Sequence, residues 1–160
     1  MTAVLVTGMS GTGKSSVLAE LGRRGHRAVD TDYGDWIEEV SESGGTERLW
    51  REQAIEALLD DHAEGTLFVS GCVANQGQFY PRFDAVVLLS APADVILERV
   101  ATRKTNRFGQ AQQEREAILC DLAEVEPLLR AGATAELDTR ASLAEVADAL
   151  ERIAAITKRR

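Results

Sequence analysis

The sequence predicts an α/β fold, an open parallel sheet with helices on both faces, and three observations point to it. Short apolar runs alternate with helix-period segments along the 160 residues. Val86, Val87, Leu88 and Leu89 are apolar at consecutive positions, as in a parallel strand covered on both sides. The first apolar run passes through a glycine-rich turn directly into a helix-period segment carrying Val17, Leu18 and Leu21.

Strands are expected at Val4 to Thr7, Ala28 to Val29, Leu67 to Ser70, Ala85 to Ser90 and Ala135 to Leu137. A closing helix follows Ser142, its expected N-cap, with Glu145 three residues on and a stripe of Leu143, Val146, Ala147, Leu150, Ile153 and Ala154. A similar stripe of Trp50, Ala54, Ala57 and Leu58 predicts helix in the segment from Thr46 to Glu64, with Arg48 and Arg51 off it. Gln110 to Glu116 starts a further helix.

Composition narrows the partners. With 44% hydrophobic residues the chain is long enough for one core, so residues 1–160 are read as a single domain. A formal charge of −8 repels a nucleic-acid backbone, so a polynucleotide partner is not expected. Small phosphorylated ligands are not excluded, because a few local N–H groups and cations capture them. Cys72 and Cys120 lack metal-binding or disulfide spacing. Neither a basic leader nor a long apolar segment is visible, so no membrane contact and a cytoplasmic location are expected, as a monomer or homodimer.

The strongest chemical signal is Gly8-Met9-Ser10-Gly11-Thr12-Gly13-Lys14-Ser15, which satisfies GxxxxGK[ST] between a strand and a helix. Glycines let backbone N–H groups turn inward around phosphate oxygens, and the helix N-terminus adds partial positive charge. Gly8, Ser10, Gly11, Thr12, Gly13, Lys14, Ser15 and Ser16 are therefore the expected contacts to ATP. Lys14 supplies a mobile cation, and Ser15 offers its hydroxyl to Mg²⁺. The same cradle serves ATP-binding regulatory modules and ATPases that act on a protein partner, so the motif alone leaves the reaction open.

With this motif and three further segments, the chain resembles the shikimate kinase and nucleoside monophosphate kinase group over almost its whole length. Val29-Asp30-Thr31-Asp32 looks like the Asp-x-Asp at the end of the second strand in shikimate kinases, where the carboxylates serve metal and acceptor hydroxyl. Asp32 is the expected metal carboxylate, and alternation leaves Asp30 the less well aimed of the two. Leu67 to Gln76 looks like the third strand and its glycine-rich turn. It ends in Ser70-Gly71 instead of a Walker B acid, which leaves Ser70 to help hold a metal-bound water, with Asn75 and Gln76 as polar contacts at the acceptor. Glu98 to Gly109 resembles the helix end and lid of these kinases, with Arg99 and Arg103 four residues apart.

The resemblance implies a three-layer P-loop fold with a five-stranded parallel sheet of order 2-3-1-4-5, an acceptor-binding insertion at 34–64 and a lid at 103–112. It implies a Mg²⁺·ATP phosphotransferase acting on a small molecule, a hydroxyl compound or a nucleoside monophosphate. Lys14, Asp32, Arg103 and Arg107 are its expected catalytic residues, Ser15 and Asp32 its metal ligands, and Arg103 also stacks on the base. Glu136 to Arg140 looks like the last strand and the loop beside the adenine.

Overall fold

The structure, a computed structural model, describes residues 1–42, 44–103 and 110–158. Five strands form one parallel sheet: β1 (Thr2–Thr7), β2 (Arg27–Asp30), β5 (Thr66–Ser70), β6 (Ala85–Ser90) and β7 (Ala135–Asp138). Its order is β2-β5-β1-β6-β7. A separate antiparallel hairpin, β3 (Ile37–Glu42) and β4 (Gly45–Trp50), intervenes between the second and third sheet strands. With those two strands left out of the count, the order reads 2-3-1-4-5.

Both sheet faces are covered, which explains the consecutive apolar residues. On one face Val4, Val6, Phe68, Val87 and Leu89 pack with Val17, Leu18 and Leu21 of α1 (Lys14–Arg23) and Ala147, Leu150 and Ala154 of α6 (Leu143–Lys158). On the other, Leu5, Leu67 and Val69 meet Ile55, Leu58 and Leu59 of α2 (Glu52–Asp61), together with Trp50 and Phe79. A smaller cluster of Ile96, Val100 and Ile118 joins α3 (Ala93–Thr102) to α4 (Gln112–Glu124). Helix α5 (Glu126–Gly132) leads back into β7 and places Leu129 against Met9 and Leu88.

The Ser142 hydroxyl accepts the Glu145 backbone N–H at 3.2 Å, capping α6 as its sequence indicates. The segment from Thr46 to Glu64 departs from expectation. Residues 46–50 are strand, the helix occupies Glu52–Asp61 only, and Ala57 is exposed while Ile55 and Leu59 are buried. Trp50 owes its burial to the hairpin and is not part of a helical stripe. Five residues are too few to distinguish the two periods when one large aromatic dominates the pattern.

Trp50 also fixes where the hairpin sits. Its indole N–H donates to Thr31 Oγ1 at 2.9 Å, and that hydroxyl donates to the Ser70 carbonyl at 2.7 Å. Asn75 pairs with both backbone groups of Trp50, accepting its N–H at 2.8 Å and donating to its carbonyl at 3.0 Å. Gly71 is where these parts meet most closely: a Cβ there would lie 2.6 Å from Thr31 Oγ1 and 2.9 Å from the Trp50 ring.

Candidate active site

All five parallel strands end along one edge, where open α/β sheets bind their ligands. The Gly8 to Ser15 loop leaves β1 at this edge. Gly8 has φ 154°, and a Cβ on it would come 2.5 Å from the Leu89 carbonyl oxygen, so a larger residue cannot occupy this corner without moving backbone. Thr12 Oγ1 donates to the Met9 carbonyl at 2.8 Å and braces the loop from inside.

Lys14 opens α1, and its ammonium donates to the Gly8 and Met9 carbonyls at 2.6 and 3.1 Å. Burial pushes its pKa down from the ordinary lysine value, while the Asp32 and Asp30 carboxylates oppose that shift. Burial likewise pushes the Cys72 thiol up, so it stays protonated near neutrality despite the ammonium beside it. Ser15 Oγ donates to Asp30 Oδ2 at 2.6 Å. Asp30 Oδ1 accepts the Asp32 backbone N–H at 3.1 Å, and the Asp32 carboxylate lies 3.6 Å from Arg48.

The two aspartates are therefore directed to different places. Asp30 closes on the first turn of α1, whereas Asp32 turns toward the hairpin. Ser15 and Asp30 form a hydroxyl–carboxylate pair of all-oxygen donors beside a helix N-terminus, which fits a hard divalent cation such as Mg²⁺ that keeps most of its waters. Ser70, in register with Asp30 at the end of β5, is fully buried, and its hydroxyl has no hydrogen-bond partner among the described residues. Asn75 and Gln76 are not available to a ligand. Asn75 is engaged with Trp50, and the buried Gln76 amide accepts from the Val73 N–H and donates to Thr7 Oγ1 and the Tyr80 hydroxyl.

On the other side of the loop, Arg103 Nη1 donates to Ser10 Oγ at 3.3 Å. Arg99 donates to Thr139 Oγ1 at 2.9 Å, to the Thr139 carbonyl, and more weakly to the Gly11 carbonyl at 3.4 Å. It thus ties the cradle to the loop after β7. Between them lies a cleft of about 220 Å³ lined by Thr12, Gly13, Ser16, Val17, Arg99 and Thr139, with Ala141, Leu143 and Val146 completing its wall. Sequence reasoning gave the base contact to Arg103 and assigned Arg99 no role. The signal was present in the four-residue spacing, which puts both arginines on one face of α3. Arg107 lies outside the described residues, as does most of the expected lid.

A family model described as an AAA domain matches residues 4–119. No curated protein matches the chain. Among solved structures, the shikimate kinase from Acinetobacter baumannii in complex with shikimate is similar at TM-score 0.66 and 20% identity, covering 96% of this chain and 92% of that one. TT1252 from Thermus thermophilus is similar at TM-score 0.60 and 18% identity, covering 96% of each chain. The shikimate kinase from Bacteroides thetaiotaomicron is similar at TM-score 0.62 and 16% identity, covering 94% of this chain and 98% of that one. At these identities the likeness shows a shared fold. Among the described residues no helix is long and apolar enough to cross a membrane.

Proposed function

The chain belongs to the AAA domain family, and we propose that it is a Mg²⁺·ATP-dependent phosphotransferase acting on the hydroxyl group of a small molecule. The observation that carries this reading is the convergence of Lys14, Ser15 and Asp30 at the carboxyl ends of β1 and β2, with a second carboxylate, Asp32, acting on the Lys14 ammonium and lying 3.6 Å from Arg48 of the hairpin. A cradle alone binds nucleotide; a second carboxylate beside it gives the acceptor a base.

In this reading the backbone N–H groups of Gly11 to Ser15 hold the β- and γ-phosphates. Lys14 exchanges the Gly8 and Met9 carbonyls for phosphate oxygens. The cleft beside Arg99 and Thr139 takes the base. Ser15 and Asp30 would hold Mg²⁺, which would neutralise charge on the phosphates when bound. The metal role that sequence reading gave to Asp32 thus passes to Asp30, and Asp32 serves the acceptor. The acceptor oxygen attacks the γ-phosphorus, the bond from that phosphorus to the ADP oxygen breaks, and the acceptor proton passes to the Asp32 carboxylate. Arg103, and Arg107 within a lid at 103–112, stabilise charge on the transferring group. Residues 34–64, the hairpin and α2, hold the acceptor. Catalysis is then mostly positioning and electrostatics.

The test is ADP release measured against a panel of hydroxyl compounds and nucleoside monophosphates, with Lys14→Ala as background. One acceptor class should raise turnover strongly in the native protein and not in Lys14→Ala. Turnover that stays low and equal whatever is added contradicts the proposal.

A further inference from the structure

The turn after β2 presents an exposed aromatic side chain beside the cradle. The Tyr33 N–H donates to the Asp30 carbonyl at 3.2 Å, which closes a turn over residues 30–33 and puts Tyr33 directly after Asp32. Gly34 follows with φ 91°, and the half-buried Trp36 ring lies against it: a Cβ on Gly34 would stand 3.2 Å from the indole nitrogen. The backbone under Tyr33 is thus fixed, while Tyr33 itself is 62% exposed. An exposed ring needs no explanation by itself. What it faces gives this one a role.

Arg103, the first residue past α3, stands on the lip of the cradle. Its backbone N–H donates to the Arg99 carbonyl at 3.0 Å, and its own carbonyl accepts the Gln110 side-chain amide at 3.0 Å. Its guanidinium donates to Ser10 Oγ at 3.3 Å, and its charge adds to burial in disfavouring the Lys14 ammonium. Partial burial in turn disfavours the charged guanidinium, on which the Tyr33 phenol oxygen acts foremost and the Glu114 carboxylate of α4 next. Lys14, Arg103 and Tyr33 therefore come to one mouth from three segments: the cradle, the end of α3 and the turn after β2. Two neighbouring cations repel each other until an anion lies between them, as a transferring phosphoryl group would. A carboxylate holding Arg103 would cancel the charge that this group needs. A phenol, neutral near pH 7, accepts an N–H and leaves the charge in place.

Resting on the phosphotransferase reading, we propose that Tyr33 is a positioning residue for Arg103: its phenol oxygen accepts an N–H of the guanidinium and keeps it over the transferring phosphoryl group. The fork of five guanidinium donors lets Arg103 face Tyr33 and phosphoryl oxygens together. Tyr33 acts in the transition state through Arg103, so it governs kcat and contributes little to holding ATP or acceptor.

The experiment is a double-mutant cycle. ADP release is followed in native protein, Lys14→Ala, Tyr33→Phe, Arg103→Met and the Tyr33→Phe/Arg103→Met pair, with glycerol, glucose, shikimate, AMP, CMP and UMP as acceptors. Whichever acceptor gives the highest native turnover is used for kcat and KM. Tyr33→Phe keeps the ring and removes only the oxygen. It should lower kcat about five- to tenfold, with KM for the acceptor and the ATP dissociation constant within about twofold of native. Arg103→Met should lower kcat by about two orders of magnitude. The pair should be no slower than Arg103→Met alone, because Tyr33 then has nothing to hold. Native kcat in Tyr33→Phe, an effect confined to KM, or a further five- to tenfold loss when Tyr33→Phe is added to Arg103→Met overturns the inference and leaves the phosphotransferase standing. If no acceptor speeds ADP release above the Lys14→Ala rate, the phosphotransferase reading falls, and this inference with it.

Discussion

In the proposed reading Lys14 and the two aspartates carry the chemistry, and each makes a separable prediction. Because burial lowers the Lys14 pKa, its charge is lost at a lower pH than that of an exposed lysine. Affinity for ATP, measured by titration, should fall as pH rises toward the lysine range, and the fall should move to higher pH in Lys14→Arg, whose guanidinium stays protonated. Asp30→Asn should raise the Mg²⁺ concentration needed for half-maximal turnover by about tenfold or more, because it removes the carboxylate on Ser15. Asp32→Asn should leave that requirement near the native value and lower kcat by about two orders of magnitude or more. The reverse pattern would return the metal to Asp32. The sequence placed both carboxylates correctly at the end of a strand. Which one faced Ser15 depended on the turn at Thr31, whose N–H and hydroxyl both donate to the Ser70 carbonyl, a contact 39 residues away in sequence.

At the scale of elements, the hairpin is the part that local pattern could not supply. It is anchored by Trp50 and by the Asn75 amide, and both anchors are long-range. Asn75→Ala would leave the Trp50 N–H and carbonyl without side-chain partners, at a cost of about 1–3 kcal/mol in chemical denaturation. Trp50→Ala would remove a fully buried ring from the core, at about 3–5 kcal/mol. Both variants should lose acceptor-dependent turnover before they lose ATP binding, because in the proposed reading the hairpin holds the acceptor and the cradle holds ATP. By contrast, β1, β6 and α6 were legible, since β1 and β6 are continuously apolar and α6 carries its own cap and a full stripe. Asn75 and Gln76 looked like ligand contacts in sequence because a polar pair after a strand at a binding edge usually is one. Here each amide completes backbone or side-chain bonding inside the fold.

Over the whole molecule, several surface carboxylates are held below their usual range by basic partners: Glu20 by Arg23 and Arg24, Glu136 by Arg130, Asp138 by Arg140, and Glu151 by His26 and Arg24. Each favours the folded state in its ionised form. That contribution is complete above the unfolded carboxylate pKa of about 4 and disappears as pH falls through the lowered folded values. Denaturation midpoints should therefore decline on acidification below about pH 4–5, and less steeply in Glu151→Gln, where α6 has lost a partner of Arg24, just after α1, and of His26. Residues 30–52 hold six of the chain's eight net negative charges, so the surface of the hairpin and the loop before it is the most acidic part of the molecule. The proposed function depends on the phosphoryl group leaving ATP for a small organic molecule. The direct measurement follows label from γ-³²P ATP in the presence of Mg²⁺ and an acceptor. The label should appear in an organic phosphate ester, and only with functional Lys14. Label recovered solely as inorganic phosphate, at a rate indifferent to the acceptor, would contradict the account.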